Sequence, residues 1–568
     1  MVGGETRRAS VWHDAADRAA SAARRVVALL PRAADYGGLR TSWRGDVVAG
    51  VTVGVVALPL ALAFGITSGL GATAGLTTAI VAGLVAGIFG GSNVQVSGPT
   101  GAMAVVLIPI VARYGVEAVY VVGLMAGVLL LVASFARLGR LLAYVPWPVV
   151  EGFTVGIAVI IFLQQVPNAL GVPKPHGQNA AAVAARALAD AFRHADLAAV
   201  GVVAITVAVM ILAPRLHRAL PASLVAIVVA TVVTEIAGWH VARIGALPHS
   251  LPTPALPGMS PGQMRDLFGA AIAVAALAAL ESLLSAKVAD GMSDTARHDP
   301  ERELFGQGLA NIASTLFGGM PATGAIARTA VNVRAGARTR VSAIAHSLVL
   351  ILVILAGSSL VARIPLAALA GVLMLTAIRM VEVHNVRAVL FSTRSDAFVL
   401  AITAGATIAF DLIVAVELGI ALAAVLALLK IAKSASAVKE QVTFDGIDDV
   451  VEAELLRDRI ICYRIDGALF FGAAQRFLTE LTAVTDVKVV ILRLPDLQML
   501  DATGAHALSE IVAELEARGI TVLLKGPRPE HLRLLHAVGA LDRLAHENHL
   551  FTDLDTAVAH AQLHARRS

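Results

Sequence analysis

The chain has few charged residues, few aromatic residues and a single cysteine. Charged residues make up 15% of its 568 residues and aromatic residues 5%, while hydrophobic residues reach 57%. A soluble protein of this length does not need so much apolar surface, whereas a chain with many spans of about 20 apolar residues does. The composition therefore predicts a polytopic membrane protein.

Other absences exclude whole classes of function. The lone Cys462 excludes an internal disulfide and a cysteine-based metal cluster, and its apolar surroundings predict a buried strand thiol. No Gly-x-x-x-x-Gly-Lys-Ser/Thr motif occurs, which argues against ATP as the driving force. The sequence shows no catalytic triad and no nucleotide-binding loop, so an enzyme is not expected. We also expect no cofactor or metal other than a coupling ion. The net charge of +4 is small and not concentrated on one face, so nucleic acid is not expected as a partner.

Long apolar segments fill the chain from about residue 41 to 436. They predict about fourteen helical spans or part-spans. The segments are 46–67, 72–90, 98–112, 116–136, 145–166, 197–214, 221–238, 268–289, 304–318, 322–334, 341–361, 365–381, 396–411 and 413–431. Arginine and lysine concentrate in alternate loops, which places both termini in the cytoplasm by the positive-inside rule. We expect a multi-pass protein of the plasma membrane.

A short glycine-containing motif occurs twice among these spans. Residues 98–102 read Gly-Pro-Thr-Gly-Ala and residues 321–325 read Pro-Ala-Thr-Gly-Ala, and each follows a Gly-Gly pair. Matching interrupted segments in two halves of a membrane protein indicate a transporter's binding site. Each predicted half-helix begins with free N–H groups and the positive end of the helix dipole, which suits an anion. The pattern predicts an anion transporter.

The repeat also predicts the topology. Thr100 and Thr323 lie 223 residues apart, which aligns two halves of the membrane domain, and about fourteen spans give seven to each half. An odd number of spans inverts the second half relative to the first, which predicts a seven-plus-seven inverted repeat with the site at the interface of the halves.

Several residues are candidates for the chemistry. Glu281 lies within an apolar span, where a carboxylate can bind a cation or carry a proton, and Ser285 follows on the same helical face. Arg328 lies one turn into the second half-helix, where it can contact an anion, offset Glu281 or extend to the interface. Thr100 and Thr323 can cap the two half-helices, a role compatible with ligand binding at the same amides.

Composition changes near residue 440. Charges become more frequent, and short strand-like runs alternate with helical patterns from 440 to 568. This alternation predicts a small cytoplasmic α/β domain. At the other end, residues 1–40 form a basic tail that can be a surface helix or disordered.

Specific motifs resemble those of the sulfate permease (SulP) family of anion transporters over about 40–568. The motifs are Arg44-Gly45-Asp46, Ala57-Leu58-Pro59, 96–101, 306–311 and 324–329. The first half is similar to sodium-dependent bicarbonate-transporting members, and the second half looks closer to members linked to C4-dicarboxylates. The resemblance implies a core and a gate domain, a cytoplasmic STAS domain and a homodimer.

The resemblance also implies two overlapping sets of site residues. The anion set is Thr100, Gly101, Ala102, Thr323, Gly324, Ala325 and Arg328, the last matching a basic residue that contacts the anion in prestin-like members. The sodium site of bicarbonate-transporting members matches Thr100, Glu281, Ser285, Gly324, Ala325 and Ile326. Glu281 and Ser285 stand where those members have Asp and Thr, so sodium and proton coupling both stay open.

The C-terminal domain resembles STAS domains, whose phosphorylation loop matches Asp501-Ala502-Thr503-Gly504. Thr503 stands at the acceptor position, and the alternative role is a cap of the helix that follows. A regulatory partner of this domain is also implied.

Three hypotheses follow. The leading one is secondary-active symport of sulfate or bicarbonate with sodium or protons, and a C4-dicarboxylate is the alternative substrate. A membrane-anchored signalling protein with STAS as its output is the third, although it would not need two matched half-helices. A nucleobase permease is disfavoured by the STAS domain and the SulP motifs.

Overall fold

The computed structural model describes most of the chain. The described residues are 27–140, 146–175, 179–216, 221–248, 250–258, 260–410, 412–434, 436–440, 456–470 and 487–567. They divide into two compact units, Met1–Ile420 and Ala421–Ser568, and the division falls within one helix.

The first unit is built from helices. Their bounds are α1 Leu39–Thr67, α2 Ala72–Phe89, α3 Gly101–Tyr114, α4 Val116–Phe135, α5 Trp147–Leu170, α6 Ala180–His194, α7 Leu197–Leu216, α8 Ala222–Ile236, α9 Pro261–Met292, α10 Pro300–Leu316, α11 Ile326–Arg334, α12 Val341–Ala362, α13 Leu366–Met380, α14 Val383–Ser392, α15 Arg394–Ala409 and α16 Leu412–Ser434. Every predicted apolar segment coincides with one of these helices.

Eight helices in the described part are long and apolar enough to cross a membrane. The chain is therefore a multi-pass membrane protein, while the count of fourteen crossings stays a prediction. Two helices were not predicted. The amphipathic α6 lies in what was expected to be a loop, and α14 follows α13 closely.

Two groups of close helix contacts occur in the first unit, and one apolar core spans both. In one, α12 packs on α1 and α2 while α10 packs on α2 and α4; in the other, α5 packs on α13 and α15. Glycine permits the closest of these approaches. A Cβ atom at Gly75 in α2 would lie 2.0 Å from the Ala61 carbonyl oxygen in α1, so any side chain there would separate the two helices.

Two short extended segments interrupt the first group. Strand β1 (Ser97–Gly98) pairs antiparallel with β2 (Thr323–Gly324), with Ser97 opposite Gly324 and Gly98 opposite Thr323. Both strands are buried, and each leads directly into a short helix, α3 or α11. The two repeated motifs of the sequence therefore meet at one point of the fold.

The second unit contains a mixed β-sheet. Its strands are β3 Ser436–Glu440, β4 Ile460–Leu469, β5 Val489–Arg493, β6 Leu497–Leu500, β7 Thr521–Lys525 and β8 Leu550–Phe551. The order is β3-β4-β5-β7-β8, with β6 also beside β4, and only β3 runs antiparallel to its neighbour. Strand β3 begins before residue 440, where the sequence placed the start of this domain.

Helices cover both faces of this sheet. Helices α17 (Ala502–Ala517) and α18 (Pro529–Ala537) lie beside one apolar core, and α19 (Leu554–Arg567) contributes to the other. Cys462 lies in the second core, as predicted, and burial raises the pKa of its thiol to about 11. The helical pattern predicted for 473–481 lies outside the described residues.

Candidate functional site

The polar environment of β2 explains how extended backbone is tolerated among apolar helices. Unpaired backbone groups are costly at membrane depth, so each needs a partner within the protein. The Asn311 side-chain amide accepts a hydrogen bond from Ala322 N (2.9 Å) and donates one to Ala322 O (2.9 Å). The Thr78 hydroxyl accepts from Met320 N (2.7 Å). Side chains of α2 and α10 thus replace the missing helical bonds.

Thr100 joins the first half-helix to Glu281. As the N-cap of α3, its hydroxyl oxygen accepts a hydrogen bond from Met103 N (3.3 Å). The same hydroxyl donates to Glu281 Oε2 on α9 (2.9 Å). Thr100 therefore caps α3, as predicted, and the same hydroxyl contacts the Glu281 carboxylate.

Arg328 extends from the second half-helix toward the start of the first. Its side chain is buried, with 2% exposed, and Nη2 donates to the Pro99 carbonyl oxygen (2.7 Å). Nη1 is buried and has no hydrogen-bond partner within the described part of the chain. The guanidinium is thus enclosed by the protein and does not lie at its surface. Among the described residues it also forms no direct ion pair with Glu281, which bonds Thr100 instead.

Gly98 provides the room for this guanidinium. A Cβ atom at Gly98 would lie 2.6 Å from Arg328 Nη1, closer than side chains pack. The glycine of the first motif therefore has a specific task, which is to let the arginine of the second half reach the first half-helix.

The two half-helices begin differently. The N-cap of α11 is Ala325, which has no side-chain oxygen and makes no side-chain cap. The expectation that Thr323 caps this helix is wrong, because Thr323 precedes the cap and its hydroxyl donates to Ala278 O in α9 (3.0 Å). The first amides of α11 therefore lack the side-chain acceptor that Thr100 gives α3.

The other predicted site residues surround this crossing. Gly101 and Ala102 are buried in the first turn of α3, and a Cβ atom at Gly101 would lie 2.2 Å from Ile161 Cδ1 on α5. The Gly324 Cα is shielded, since a Cβ there would meet the Gln95 side chain at 1.7 Å. The Gln95 amide therefore occupies the space beside the Gly324 Cα.

Ser285 and Ile326 were also predicted at the site, and the contacts of Ser285 are with α11. The Ser285 hydroxyl lies 3.1 Å from Thr329 Oγ1, which itself accepts a hydrogen bond from Val96 N (3.1 Å). Ser285 therefore ties α9 to α11 and to the entry of β1. The Ile326 side chain is a hydrocarbon without a polar atom, so only its backbone can bind an ion.

Sequence reasoning did not identify four polar residues that hold this region in place. These are Gln95, Gln307, Asn311 and Thr329. Gln307 donates to Ser97 Oγ in β1 (2.6 Å). A signal was present, since buried amides within apolar segments are rare and Gln307 and Asn311 lie four residues apart on one face of α10.

The proposed phosphorylation loop lies at the start of α17. Asp501 is the N-cap, and its carboxylate accepts a hydrogen bond from Gly504 N (2.7 Å). The interpretation of Thr503 as a cap is therefore wrong. Thr503 lies exposed in the first turn of the helix, and its phosphorylation stays a prediction.

Comparisons with known proteins agree with this architecture. The putative sulfate transporter YvdB of Bacillus subtilis is 35% identical over 82% of this chain and 88% of its own length. The bicarbonate transporter BicA of Synechocystis is 30% identical over 84% of this chain and 86% of its own. The transmembrane domain of a cyanobacterial BicA matches with a TM-score of 0.62 at 32% identity, covering 66% of this chain and 98% of that domain.

The whole architecture, including the C-terminal unit, also has a solved counterpart. The structure of SLC26A9 matches with a TM-score of 0.81 over 98% of this chain and 96% of that one, at 16% identity, which shows a shared fold. The STAS domain model matches residues 455–557, and the model of the sulfate permease family matches residues 43–403. With its interrupted helices, its STAS domain and these matches, the chain belongs to the sulfate permease family, a family of transporters and not of enzymes.

Proposed function

We propose that this protein is a secondary-active transporter of a small oxyanion, sulfate or bicarbonate, held between the starts of α3 and α11. One observation carries the proposal: the buried Arg328 reaches the point where the two half-helices meet, and its Nη1 has no hydrogen-bond partner among the described residues. A buried cation with an unused donor is costly, and an oxyanion that accepts from Nη1 would relieve that cost.

The geometry favours an anion over a neutral solute. Arg328 is a planar donor fork that suits oxyanions, and α11 begins without a side-chain cap at its positive dipole end. Thr100, Gly101 and Ala102 form the opposite helix start, and Thr323, Gly324 and Ala325 form the backbone that leads into α11. In this proposal the chain of β2 shapes the site, while Arg328 provides the charge.

Glu281 is proposed to couple anion entry to a cation. Its carboxylate bonds the cap of α3, so its charge lies close to one of the two helix starts. An ionised Glu281 repels the substrate until sodium or a proton neutralises it, which makes the two binding events mutually favourable. Ser285, one turn along α9, and the Ile326 backbone complete the proposed coupling site.

The relatives support the choice of anion. YvdB and BicA carry the names of a sulfate and a bicarbonate transporter, respectively, and both align along most of this chain. We further propose a plasma-membrane homodimer with cytoplasmic termini, and a regulatory partner that binds STAS.

Uptake into proteoliposomes tests the proposal. Purified full-length protein is given labelled sulfate, bicarbonate or succinate, with sodium and proton gradients imposed one at a time. We expect accumulation of sulfate or bicarbonate under one of the two gradients. Accumulation of succinate alone would favour the dicarboxylate alternative, and no uptake of any of the three would contradict the proposed function.

Arg328→Gln tests the anion contact directly, with Arg334→Gln as the matched control on the same helix. Arg334 is exposed in the last turn of α11, so its loss removes the same charge from a different place. We expect the Arg328 variant to lose saturable anion binding and the control to retain it. Equal affinity in both variants would exclude Arg328 from the site.

A further inference from the structure

Four histidines cluster at one edge of the STAS sheet, outside the transport domain. His549 ends a 3-10 helix (Glu547–His549) that leads into β8, the strand at the end of the sheet order. His560 and His564 lie four residues apart on α19, so they share one face of that helix. His546 is occupied as the cap of the 3-10 helix, where its Nδ1 accepts from Asn548 N (3.1 Å).

The fold directs the other three rings toward one another. The face of α19 that packs against the apolar core carries Ala557, Ala561 and Ala565. His560 and His564 therefore lie at the edge of that core. The ring centroid of His549 lies 5.4 Å from the ring centroid of His560 and 5.1 Å from that of His564. The ring nitrogens of the three residues lie within 4.8 Å of one another, close enough to share one ion.

The distances suit a transition metal. His560 Nε2 and His564 Nε2 are 3.2 Å apart. Two nitrogens bound to one tetrahedral Zn²⁺ lie about 3.3 Å apart, given Zn–N bonds of about 2.0–2.1 Å. Two histidines at positions i and i+4 of a helix with a third from a neighbouring element form a ligand set that zinc uses widely.

His549 supplies an independent observation. Its side chain is only 2% exposed, and Nδ1 is buried without a hydrogen-bond partner in the described part of the chain. A buried imidazole nitrogen that has no other partner is available to bind a metal ion.

We propose that His549, His560 and His564 form a zinc site in the STAS domain. The site holds three protein nitrogens and leaves the fourth tetrahedral position for water or for a donor from another molecule. Because the ligands come from α19 and from the segment before β8, the ion fastens the last helix of the domain to the edge of its sheet. Zinc therefore stabilises this domain against unfolding.

Metal binding by the full-length protein tests the proposal. The protein is purified in detergent through a removable tag without histidines, stripped with a chelator and dialysed against micromolar zinc. Bound metal is then measured by elemental mass spectrometry. We expect one zinc ion per chain, and zinc binding at least about tenfold weaker in His560→Gln and in His564→Gln, since even outer-shell losses cost about 10- to 100-fold.

The matched control is His536→Gln. His536 is an exposed histidine on α18, so the control also removes one imidazole from the STAS domain. Zinc binding should be unchanged in it. Equal zinc content in the wild type and the His560 and His564 variants, or an equal loss in the control, would overturn the site.

A measurement on the wild type alone keeps the test decisive if the variants fold poorly. Cobalt(II) replaces zinc in such sites and reports its coordination by visible absorption. We expect the intense bands of four-coordinate cobalt, lost when zinc is added, together with a zinc-dependent rise in unfolding temperature. The weak spectrum of octahedral cobalt would contradict a tri-histidine site.

Discussion

Glu281 and Arg328 bring opposite charges to the crossing of the half-helices, yet each bonds a different partner. Glu281 accepts from Thr100, the cap of α3, and Arg328 donates to the Pro99 carbonyl oxygen just before that helix. Both side chains of the second half thus bond the start of the first half-helix. This arrangement gives each residue a separable role, which substitutions can test.

Glu281→Gln should retain anion binding and lose gradient-driven accumulation. The amide matches the neutralised carboxyl group in shape and can still bond Thr100, but it cannot exchange a proton or bind sodium as a carboxylate does. Binding is measured by anion-dependent thermal shift and accumulation by proteoliposome uptake. Glu117→Gln, at an exposed glutamate in the first turn of α4, is the control. Accumulation equal to wild type would exclude the coupling role.

Gly98→Ala should weaken anion binding and also lower the stability of the protein somewhat, because Gly98 has a φ of 153°, which favours glycine. The new methyl group would lie 2.6 Å from Arg328 Nη1, so the guanidinium must move and lose its bond to Pro99. Hydrogen bonds of charged groups contribute about 1.5–3 kcal/mol, so we expect an affinity loss of about tenfold or more. Gly269→Ala is the control, because a Cβ atom in that helix meets nothing within 4 Å. Unchanged affinity would show that the position of Arg328 does not matter.

At the scale of elements, the structure gives the motif Arg44-Gly45-Asp46 a role in holding α1 to the segment before α12. Asp46 of Arg44-Gly45-Asp46 is buried in α1 and accepts hydrogen bonds from Arg338 N (2.7 Å) and Thr339 N (2.9 Å). Its carboxylate therefore fixes the turn that precedes α12. Asp35, in the 3-10 helix before α1, accepts from Arg302 (2.8 Å) and lies 3.8 Å from Arg340.

Asp35→Asn should destabilise this end of the membrane unit. Arg302 and Arg340 are 5% and 1% exposed, and removing the partner of a buried charge costs about 3–5 kcal/mol. We expect a lower unfolding temperature in detergent at pH 7, measured by intrinsic fluorescence. Asp266→Asn, at an exposed aspartate in α9, should not change it. An equal unfolding temperature for wild type and Asp35→Asn would show that the pair adds no stability.

The pH dependence of this effect has a definite sign. Burial alone raises the pKa of Asp35, but the hydrogen bonds from Arg302 and Arg32 and the charge of Arg340 lower it to about 2. A carboxyl group with a lowered pKa stabilises the fold above its unfolded value of 3.8, and the benefit disappears as pH falls toward 2. The difference between wild type and Asp35→Asn should therefore shrink below pH 4.

At the scale of the molecule, transport and STAS residues belong to separate compact units. Every residue proposed for the transport site lies before Ile420, and the STAS sheet begins with β3 at Ser436. Truncation after Ser434 should leave an inserted membrane domain that still binds the anion, with reduced or unregulated transport. Anion-dependent thermal shift of the truncated protein measures this. Loss of binding in a folded, truncated protein would contradict the separation.

The sequence by itself determined the class of protein and predicted where the candidate site lies. Runs of apolar residues are local signals, because a span must bury about 20 consecutive residues in lipid. For this reason every predicted segment coincides with a helix. The repeated Thr-Gly-Ala motif predicted two interrupted helices, and a charged residue within an apolar run identified Glu281.

Only the tertiary structure decided which groups meet. Thr100 and Thr323 occupy matching sequence positions, yet Thr100 caps α3 while Thr323 bonds Ala278. Gly98 leaves room for Arg328, and Asn311 bonds the backbone of Ala322. Both contacts join segments more than ten residues apart in the chain. Hydrogen bonds act over about 3 Å, so their partners follow from packing and not from spacing along the chain.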